Sequence, residues 1–290
     1  MPLKDKLESG KFIITAEIEP PKGTDIEIAL EKAKMLHEAG VDAINVTDNQ
    51  RAVMRLAPIG LCKVLIDNNI EAVWQITCRD RNKLALQADA LAANLLGIKS
   101  CLVLGGDPPK FGDHPDAKPV YDLHTVQLIE TLTKLNNGKD LAEKELNKPT
   151  DLFIAAAANP GAEDLDEEKS KLKAKLDAGA HFFQTQAVYD VEHYKEFYEK
   201  VKDLNPKILV GIIPLKSAKM ARFMNEKVPG INVPEELIKE IEASENPMKT
   251  GVEQAIKIIK ELKASDLCSG VHIMALGAEK NIPEIMSRVQ

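Results

Sequence analysis

Two short segments of the chain place carboxylates at the end of an apolar run and close that run with two prolines. The first is Thr15–Pro21, which contains Glu17 and Glu19, and the second is Cys101–Pro109, which contains Asp107. Apolar, β-branched runs of this kind predict buried strands. Burying an unpaired carboxylate is costly, and acids held in such places tend to have catalytic or binding roles. These acids are therefore the first candidates for proton-transfer chemistry.

The three acids differ in their surroundings. Glu17 has apolar neighbours on both sides, which predicts that it reaches a buried site, whereas Glu19 can also be a solvent-facing or ion-paired acid of the following loop. Asp107 has an alternative too, since in a Gly-Gly-Asp-Pro-Pro turn an aspartate can simply cap backbone N–H groups. Gly105 and Gly106, which precede it, would allow a ligand to approach the backbone closely.

A repeated unit must position these residues. Three times a helical pattern ends in a glycine and a short β-branched run follows two or three residues later, at Gly40, Gly97 and Gly179. Glycine supplies the left-handed cap of a helix, and a short apolar run behind it is typical of a strand that is covered on both faces. The pattern indicates repeated βα units.

Eight strands alternate with helical segments, which predicts a single (β/α)8 TIM barrel over residues 1–290. A doubly wound sheet is the alternative, but it would bring a glycine-rich dinucleotide turn near the first strand. We expect a loop over the site at 108–120, a surface excursion at about 136–150 and an extra acidic helix at about 233–246. The predicted strands are Phe12–Ile18, Ala43–Thr47, Ala72–Thr77, Cys101–Leu104, Leu152–Ala157, Phe182–Gln186, Ile208–Ile213 and Val271–Met274.

Composition narrows the class of protein. The 290 residues are 44% hydrophobic and 29% charged with a net charge of −7, which argues against a nucleic-acid or anionic-membrane partner. The four cysteines are widely spaced and form no zinc motif, so they are expected to be reduced core residues and no metal site is predicted. With no signal-peptide core and no spanning stretch, a cytoplasmic location is expected.

The active site of a TIM barrel lies where the strands end, so the residues there decide the chemistry. Acids, amides and hydroxyls occupy these positions, and neither a lysine within a strand nor a set of histidines appears, which argues against a Schiff-base aldolase and a metal-dependent hydrolase. The six histidines are expected to be structural or solvated. The side-chain amides of Gln and Asn offer paired hydrogen-bond donors and acceptors, which suit a flat, polar heterocycle. The residues are Glu17, Glu19, Thr47, Asp48, Asn49, Gln75, Thr77, Asp107, Ala155 to Asn159, Gln184, Gln186 and Lys216.

At these strand ends the chain resembles the flavin-dependent 5,10-methylenetetrahydrofolate reductase family. The matching motifs occur in the order of the family from the first strand to the sixth, and the match weakens after Pro214. The motifs are Ala16-Glu17-Ile18-Glu19-Pro20-Pro21, Asn45-Val46-Thr47, Gln75-Ile76-Thr77-Cys78, Leu104-Gly105-Gly106-Asp107-Pro108-Pro109 and Lys175-Leu176-Asp177-Ala178-Gly179-Ala180 leading to Thr185-Gln186.

The resemblance implies a role for each matching residue. Glu17 corresponds to the general acid that protonates the folate, Asp107 to the acid near the flavin and the pterin, and Gln186 to a glutamine that binds the pterin. It also implies flavin contacts, which fall on Thr47, Gln75, Gly105, Gly106, Asp107, Tyr121, Glu168, Lys171 and Lys175.

The same resemblance implies the reduction of methylenetetrahydrofolate to methyltetrahydrofolate in one-carbon metabolism and methionine biosynthesis. Hydride would pass through flavin N5 in a ping-pong reaction, with FAD, or alternatively FMN, as cofactor. The donor would be a reduced nicotinamide such as NADH or another reductant, the chain would be a homo-oligomer, and a small zinc-binding partner subunit is compatible with its aromatic-poor mouth. Two alternatives stay open: a flavin-free folate- or corrinoid-linked barrel, and a subunit that is active only with a partner.

Overall fold

Eight parallel strands close into one barrel in the order of the sequence. The computed structural model describes residues 1–290, and each strand pairs with the next along the chain until the last pairs with the first. The predicted TIM barrel is therefore confirmed. The strands are β1 (Ile13–Ile18), β2 (Ala43–Val46), β3 (Ala72–Thr77), β4 (Ser100–Leu104), β5 (Phe153–Ala158), β6 (Phe182–Ala187), β7 (Ile208–Ile212) and β8 (Gly270–Ile273).

Helices follow the strands and form the outer layer, except the first helix, which precedes β1 and packs against the amino-terminal end of the barrel. They are α1 (Leu3–Glu8), α2 (Glu27–Glu38), α3 (Pro58–Asp67), α4 (Lys83–Leu95), α5 (Thr125–Asn136), α6 (Leu165–Asp177), α7 (Val191–Val201), α8 (Ala218–Lys227), α9 (Glu235–Ala243), α10 (Pro247–Ala264) and α11 (Ile282–Val289). None of them is long and apolar enough to cross a lipid bilayer. Gly40, Gly97 and Gly179 end α2, α4 and α6 with φ angles of 91°, 89° and 109°, the left-handed conformation that the sequence pattern predicts.

Alternation along each strand separates an inner layer from an outer one. In β1, Ile14, Ala16 and Ile18 pack with the helices in the large outer core, whereas Ile13 packs with the inward residues of other strands. The side chains of Thr15 and Glu17 lie on the same face as Ile13 and therefore point into the barrel. Every residue of β1 is buried, as a strand covered on both faces requires.

The amino-terminal end of the barrel is filled by apolar side chains. Leu3 and Leu7 of α1 join the inner cluster at this end, packing with residues of β1 to β7 such as Phe153 and Phe182. The rings of Phe153 and Phe182 are stacked with centroids 5.1 Å apart. As a result, the inward-facing polar residues lie towards the carboxyl ends of the strands, where a TIM barrel carries its site.

Three segments outside the regular repeat were expected from the sequence. Residues 137–152, between α5 and β5, contain only an isolated antiparallel bridge between Lys139 and Glu145. The extra helix is shorter than the predicted 233–246, because α9 begins after Pro234 and ends at Ala243. The segment after β4 forms a long loop with a short 3-10 turn at Pro109–Phe111.

Candidate active site

The carboxyl end of the barrel is lined by polar side chains from neighbouring strands, and we call this lining the mouth of the barrel. Its members share the inward-facing register of their strands, and nearly all are buried. They are Thr15 and Glu17 on β1, Asn45 and Thr47 on and just after β2, Gln75 and Thr77 on β3, Gln184 and Gln186 on β6, and His272 on β8.

Glu17 is a buried carboxylate in the mouth, 7% exposed. Its side chain makes no hydrogen bond to another protein group, and the nearest basic atom is Nε2 of His272 at 3.7 Å. Nδ1 of the same imidazole lies 2.9 Å from Oγ1 of Thr15. Glu17, His272 and Thr15 thus form a row across the neighbouring strands β1 and β8, which pair at Thr15 and His272. A carboxyl group in this setting has its oxygens available to a ligand.

An amide pair lies beside this row inside the barrel. Nδ2 of Asn45 donates to Oε1 of Gln184 at 2.7 Å, and Nε2 of Gln184 donates to Oδ1 of Asn45 at 3.2 Å. Both side chains are buried, so the two amides satisfy each other across the barrel. Gln184 therefore contributes to the floor of the mouth rather than to ligand binding.

Other polar groups in the mouth have no protein partner. Oγ1 of Thr47 is fully buried and makes no hydrogen bond. Gln75 is 6% exposed, and its side-chain amide makes no hydrogen bond to the protein either. Gln186 is exposed at the end of β6, and its side-chain amide is also unpaired. Buried polar groups are normally hydrogen-bonded, so the unpaired hydroxyl of Thr47 has its bonding capacity left for a partner outside the protein.

Asp107 lies on the loop after β4, at the rim of the mouth. Its Oδ2 accepts a hydrogen bond from the backbone N–H of Arg51 at 3.0 Å. The hydroxyl of Tyr121 donates to the carbonyl of Gly106 at 3.0 Å and holds the preceding turn. A Cβ built on Gly105 would meet no atom within 4 Å, which leaves space above this residue for a ligand.

Glu19 and Asp48 are taken up by structural pairs. Oε2 of Glu19 lies 2.7 Å from Nη2 of Arg55, so this acid is ion-paired in the loop after β1, one of the two arrangements that its sequence allows. Asp48 accepts hydrogen bonds from the backbone N–H and the hydroxyl of Thr77, both at 2.9 Å, and pairs with Arg81 at 2.7 Å. Neither acid is available to a ligand in this arrangement.

The three candidate residues on α6 lie behind the end of β5. Nζ of Lys175 donates to the carbonyl of Ala157 at 2.7 Å, and burial lowers the pKa of this lysine. Oε1 of Glu168 accepts from the backbone N–H of Asn159 at 2.8 Å. Lys171 is exposed and pairs with Glu167 at 2.8 Å. Lys175 and Glu168 therefore hold the backbone at the end of β5, while Lys171 faces the solvent.

His272 is the residue that sequence reasoning overlooked. All six histidines were expected to be structural or solvated, and none was named as a site residue; His272 is 3% exposed and lies in the mouth beside Glu17. The sequence does contain a signal for this residue, because His272 lies inside a predicted strand between Val271 and Ile273. Alternation along the strand then places His272 on the face opposite to these two apolar residues. A polar residue on the inner face of a barrel strand near its carboxyl end is a candidate for function.

A TIM barrel that gathers a buried carboxyl, a rim carboxylate, unpaired amides and one unpaired hydroxyl at the carboxyl ends of its strands is of the class that carries its binding site there. The family model described as methylenetetrahydrofolate reductase matches residues 2–290. The chain belongs to this family.

Curated relatives carry the same name. The 5,10-methylenetetrahydrofolate reductase of Escherichia coli is 25% identical over 76% of this chain and 72% of its own length. Methylenetetrahydrofolate reductase 2 of Schizosaccharomyces pombe is 26% identical over 98% of this chain but only 46% of its own length. The chain thus spans between about a third and a half of the eukaryotic relatives that it matches.

A solved structure from Clostridium thermocellum, described as an uncharacterized protein that binds two copies of 5-methyl-5,6,7,8-tetrahydrofolic acid, has a similar fold. The TM-score is 0.68 at 20% identity, and the match covers 99% of this chain and 98% of the other. An EDTA monooxygenase from Chelativorans matches with a TM-score of 0.60 at 11% identity over 96% and 92% of the two chains. These two likenesses support the fold.

Proposed function

We propose that this protein reduces 5,10-methylenetetrahydrofolate to 5-methyltetrahydrofolate. The observation that carries the proposal is the placement of Glu17 in a chain of this family: a buried carboxyl group with no protein hydrogen bond, directed into the mouth beside His272. The folate bound by the Clostridium thermocellum protein of the same fold supports a folate as the substrate class.

Glu17 would act as the general acid. Reduction of the methylene bridge requires the five-membered ring of the folate to open, and protonation of a ring nitrogen makes that nitrogen the leaving group. The ring then opens to a cationic iminium ion, which accepts hydride at the former methylene carbon. A buried carboxyl group beside the substrate is suited to that donation.

Asp107 and Gln186 would bind and orient the substrate. The Asp107 carboxylate is fixed at the rim by the N–H of Arg51, and a negative charge there would stabilise the iminium cation. The free amide of Gln186 would pair with donors and acceptors of the pterin ring. Both side chains lie at the exposed edge of the mouth, as groups that meet an incoming substrate must.

The mouth also fits a flavin. The unpaired hydroxyl of Thr47, the unpaired amide of Gln75 and the open space at Gly105 suit a flat ring with polar edges, and Gly106 and Tyr121 complete the wall. A flavin bound there, FAD or FMN, would supply the hydride, accepting it from a reduced nicotinamide or another donor in a separate half-reaction.

The phosphate side of the cofactor would lie towards α6. Lys171 is exposed and free to turn to an anion, while Lys175 must leave the carbonyl of Ala157 to reach one. Glu168 would then serve by holding Asn159 and the end of β5 in place. We also propose that the chain forms a homo-oligomer and works with a small zinc-binding partner subunit. Activity that appears only when the partner is added would identify such a subunit.

The first experiment is the absorption spectrum of the purified chain. The proposal expects a yellow protein whose visible bands bleach on reduction, and mass analysis of the released cofactor distinguishes FAD from FMN. A protein that binds no flavin even after reconstitution would contradict the proposal and favour a flavin-free folate-binding or methyl-transfer barrel.

Substitution of the two neighbouring glutamates gives the sharper test. Glu17→Gln should retain flavin reduction but slow folate reduction by about 100-fold or more, because the proton donor is lost. Glu19→Gln is the matched control, since Glu19 lies two residues away and pairs with Arg55 outside the mouth. Equal loss of both half-reactions in Glu17→Gln would argue against the role assigned to this acid.

A further inference from the structure

Arg79 is a fully buried arginine on the loop after β3, next to the mouth. It is 2% exposed. Its Nε and Nη2 each donate to the carboxylate of the adjacent residue, Asp80, at 2.7 Å, which forms a bidentate pair. Burial alone would lower the pKa of Arg79, but the Asp80 carboxylate outweighs that effect and raises the pKa, so the guanidinium stays charged.

The remaining donors of Arg79 connect this loop to its two neighbours. Nη1 donates to the carbonyl of Asp107 at 3.1 Å, on the loop after β4. Nη2 donates to the carbonyl of Asn49 at 3.3 Å, on the loop after β2. The carbonyl of Arg79 itself accepts from the N–H of Val120 at 2.7 Å. The buried side chain of Arg79 therefore bonds to the backbone of the loops after β2 and β4, on either side of its own loop.

The geometry at Asp107 depends on this guanidinium. A Cβ on Gly106 would lie 2.9 Å from Cβ of Arg79 and 3.4 Å from its Nη1, so the Gly106–Asp107 backbone rests directly on the arginine. On the other side, the N–H of Arg51 binds the carboxylate of Asp107. Asp107 is thus held at its carbonyl by Arg79 and at its carboxylate by the loop that Arg79 also binds.

The loop after β2 needs such an external support. Asn49, Arg51 and Ala52 have φ angles of 47°, 55° and 56°, a left-handed conformation that costs free energy in residues with a Cβ. Conformations of this kind persist where the surroundings fix them. The Arg79 bond to the carbonyl of Asn49 supplies part of that constraint, and the strained loop in turn presents the N–H of Arg51 to Asp107.

We propose that Arg79 is a positioning residue that sets the orientation of the Asp107 carboxylate at the mouth and thereby the rate of folate reduction. The effect on the rate of folate reduction rests on the proposed function, whereas the effect on the orientation of Asp107 does not. A purely structural ion pair would be complete with Asp80, whereas Arg79 directs two further bonds to backbone carbonyls that flank the site. A planar fork with five donors can make all of these bonds at once, and a lysine cannot.

The test compares Arg79→Lys and Arg79→Met with Arg288→Lys. Arg288 forms a bidentate pair with Glu253 on the distant helices α11 and α10, so its replacement controls for the loss of an arginine fork as such. We expect folate reduction to slow by about 10- to 100-fold in both Arg79 variants, because a displacement near 1 Å has effects of that size. With the flavin site saturated, folate reduction should slow at least about 10-fold more than flavin reduction does.

Hydrogen exchange without any added ligand provides the second measurement. The amide of Arg51 should exchange at least about 10-fold faster in the Arg79 variants, since the side-chain bonds to the carbonyls of Asn49 and Asp107 are removed, and at the unaltered rate in Arg288→Lys. Unchanged exchange of this amide, or equal slowing of both half-reactions together with a lower melting temperature, would overturn the proposal. If the unaltered protein reduces no folate, the proposed function fails by itself, and the exchange measurement still decides whether Arg79 holds the Asp107 loop.

Discussion

Nε2 of His272 lies 3.7 Å from Oε2 of Glu17, while Nδ1 of the same ring lies 2.9 Å from the hydroxyl of Thr15. If the hydroxyl donates to Nδ1, the ring proton resides on Nε2 and points towards the carboxyl group. The distance of 3.7 Å exceeds that of a hydrogen bond. The imidazole would therefore influence the carboxyl group of Glu17 through the dipole of its N–H group and not through a direct bond. Thr15 would thus fix the tautomer of the ring that faces the proposed proton donor.

Replacement of His272 should therefore affect one half-reaction more than the other. His272→Gln is expected to slow folate reduction by about 10-fold, which corresponds to about 1.4 kcal/mol in the barrier, with flavin reduction unchanged. His193→Gln on the surface of α7 is the control, because that histidine is far from the mouth. Stopped-flow measurement of both half-reactions checks the prediction, and equal rates in His272→Gln and the unaltered protein would contradict it.

The unpaired hydroxyl of Thr47 allows a test that separates ligand binding from stability. Thr47→Val keeps the shape of the side chain but removes an atom that makes no bond to the protein. The ligand-free protein should lose no stability and should gain up to about 1 kcal/mol, since an unsatisfied buried group is removed. Flavin affinity should fall by about 10-fold if the hydroxyl binds the cofactor. Urea unfolding and flavin titration measure the two effects, and lower stability with unchanged affinity would show that the hydroxyl has another partner.

Adjacent glycines in the turn before Asp107 should respond differently to alanine. Gly106 has a φ angle of 89° and its Cβ would lie 2.9 Å from that of Arg79, so Gly106→Ala should cost about 2 kcal/mol or more. A Cβ on Gly105 meets nothing within 4 Å, so Gly105→Ala should leave the free energy of unfolding within about 0.5 kcal/mol. Denaturant unfolding of the two variants checks this, and equal losses would mean that the turn differs from the one described.

Asp42 should make the stability of the barrel dependent on acid pH. Burial alone would raise the pKa of this carboxyl, but hydrogen bonds from Lys11, from the N–H of Ile14 and from Lys6 outweigh it, and the pKa lies below its usual range. Because the folded state favours the carboxylate, its stabilisation is present above pH 3.8, the usual value, and is lost as the pH falls through the lower folded pKa.

Asp42→Asn should therefore cost about 1 to 2 kcal/mol at pH 7, and the difference from the unaltered protein should shrink as the pH falls below about 4. Asp67→Asn, which removes only an exposed pair with Lys63 on α3, should cost less than about 0.5 kcal/mol at any pH. Thermal melts across this pH range provide the measurement. A constant difference between Asp42→Asn and the unaltered protein would show that the charge of Asp42 is not what stabilises the fold.

The sequence predicts the strands well because their burial is visible in local composition. The third strand, Ala72–Thr77, has the predicted ends, whereas β4 begins one residue early, at Ser100. Ser100 joins β4 because it pairs with Val73 and Phe153 on both sides, and such cross-strand pairing leaves no mark on the sequence near Ser100. Strand existence is thus a local property, while strand ends depend on neighbours.

Some features of the candidate site could likewise be predicted from the sequence, and others could not. The burial of Glu17 could be predicted from its apolar flanks, and its contact with His272 could not, because the two lie 255 positions apart in the chain. The bonds from Arg79 to the carbonyls of Asn49 and Asp107 are equally hidden, since backbone acceptors carry no sequence signature. Residue types at strand ends therefore predict which chemistry is available, and the orientation of each group follows only from the folded barrel.

The open space at Gly105, after β4, contrasts with the rim after the neighbouring strand β5. There, Gly230 lies against the side chain of Asn159, where an added Cβ would come within 2.1 Å of Oδ1, and Gly161 lies against the carbonyl of Gly230. The segment between α8 and α9 thus closes the rim near the end of β5, whereas the rim at β4 stays clear. A molecule that reaches past the mouth between these two strands therefore finds free space over Gly105 and a covered rim beside Asn159.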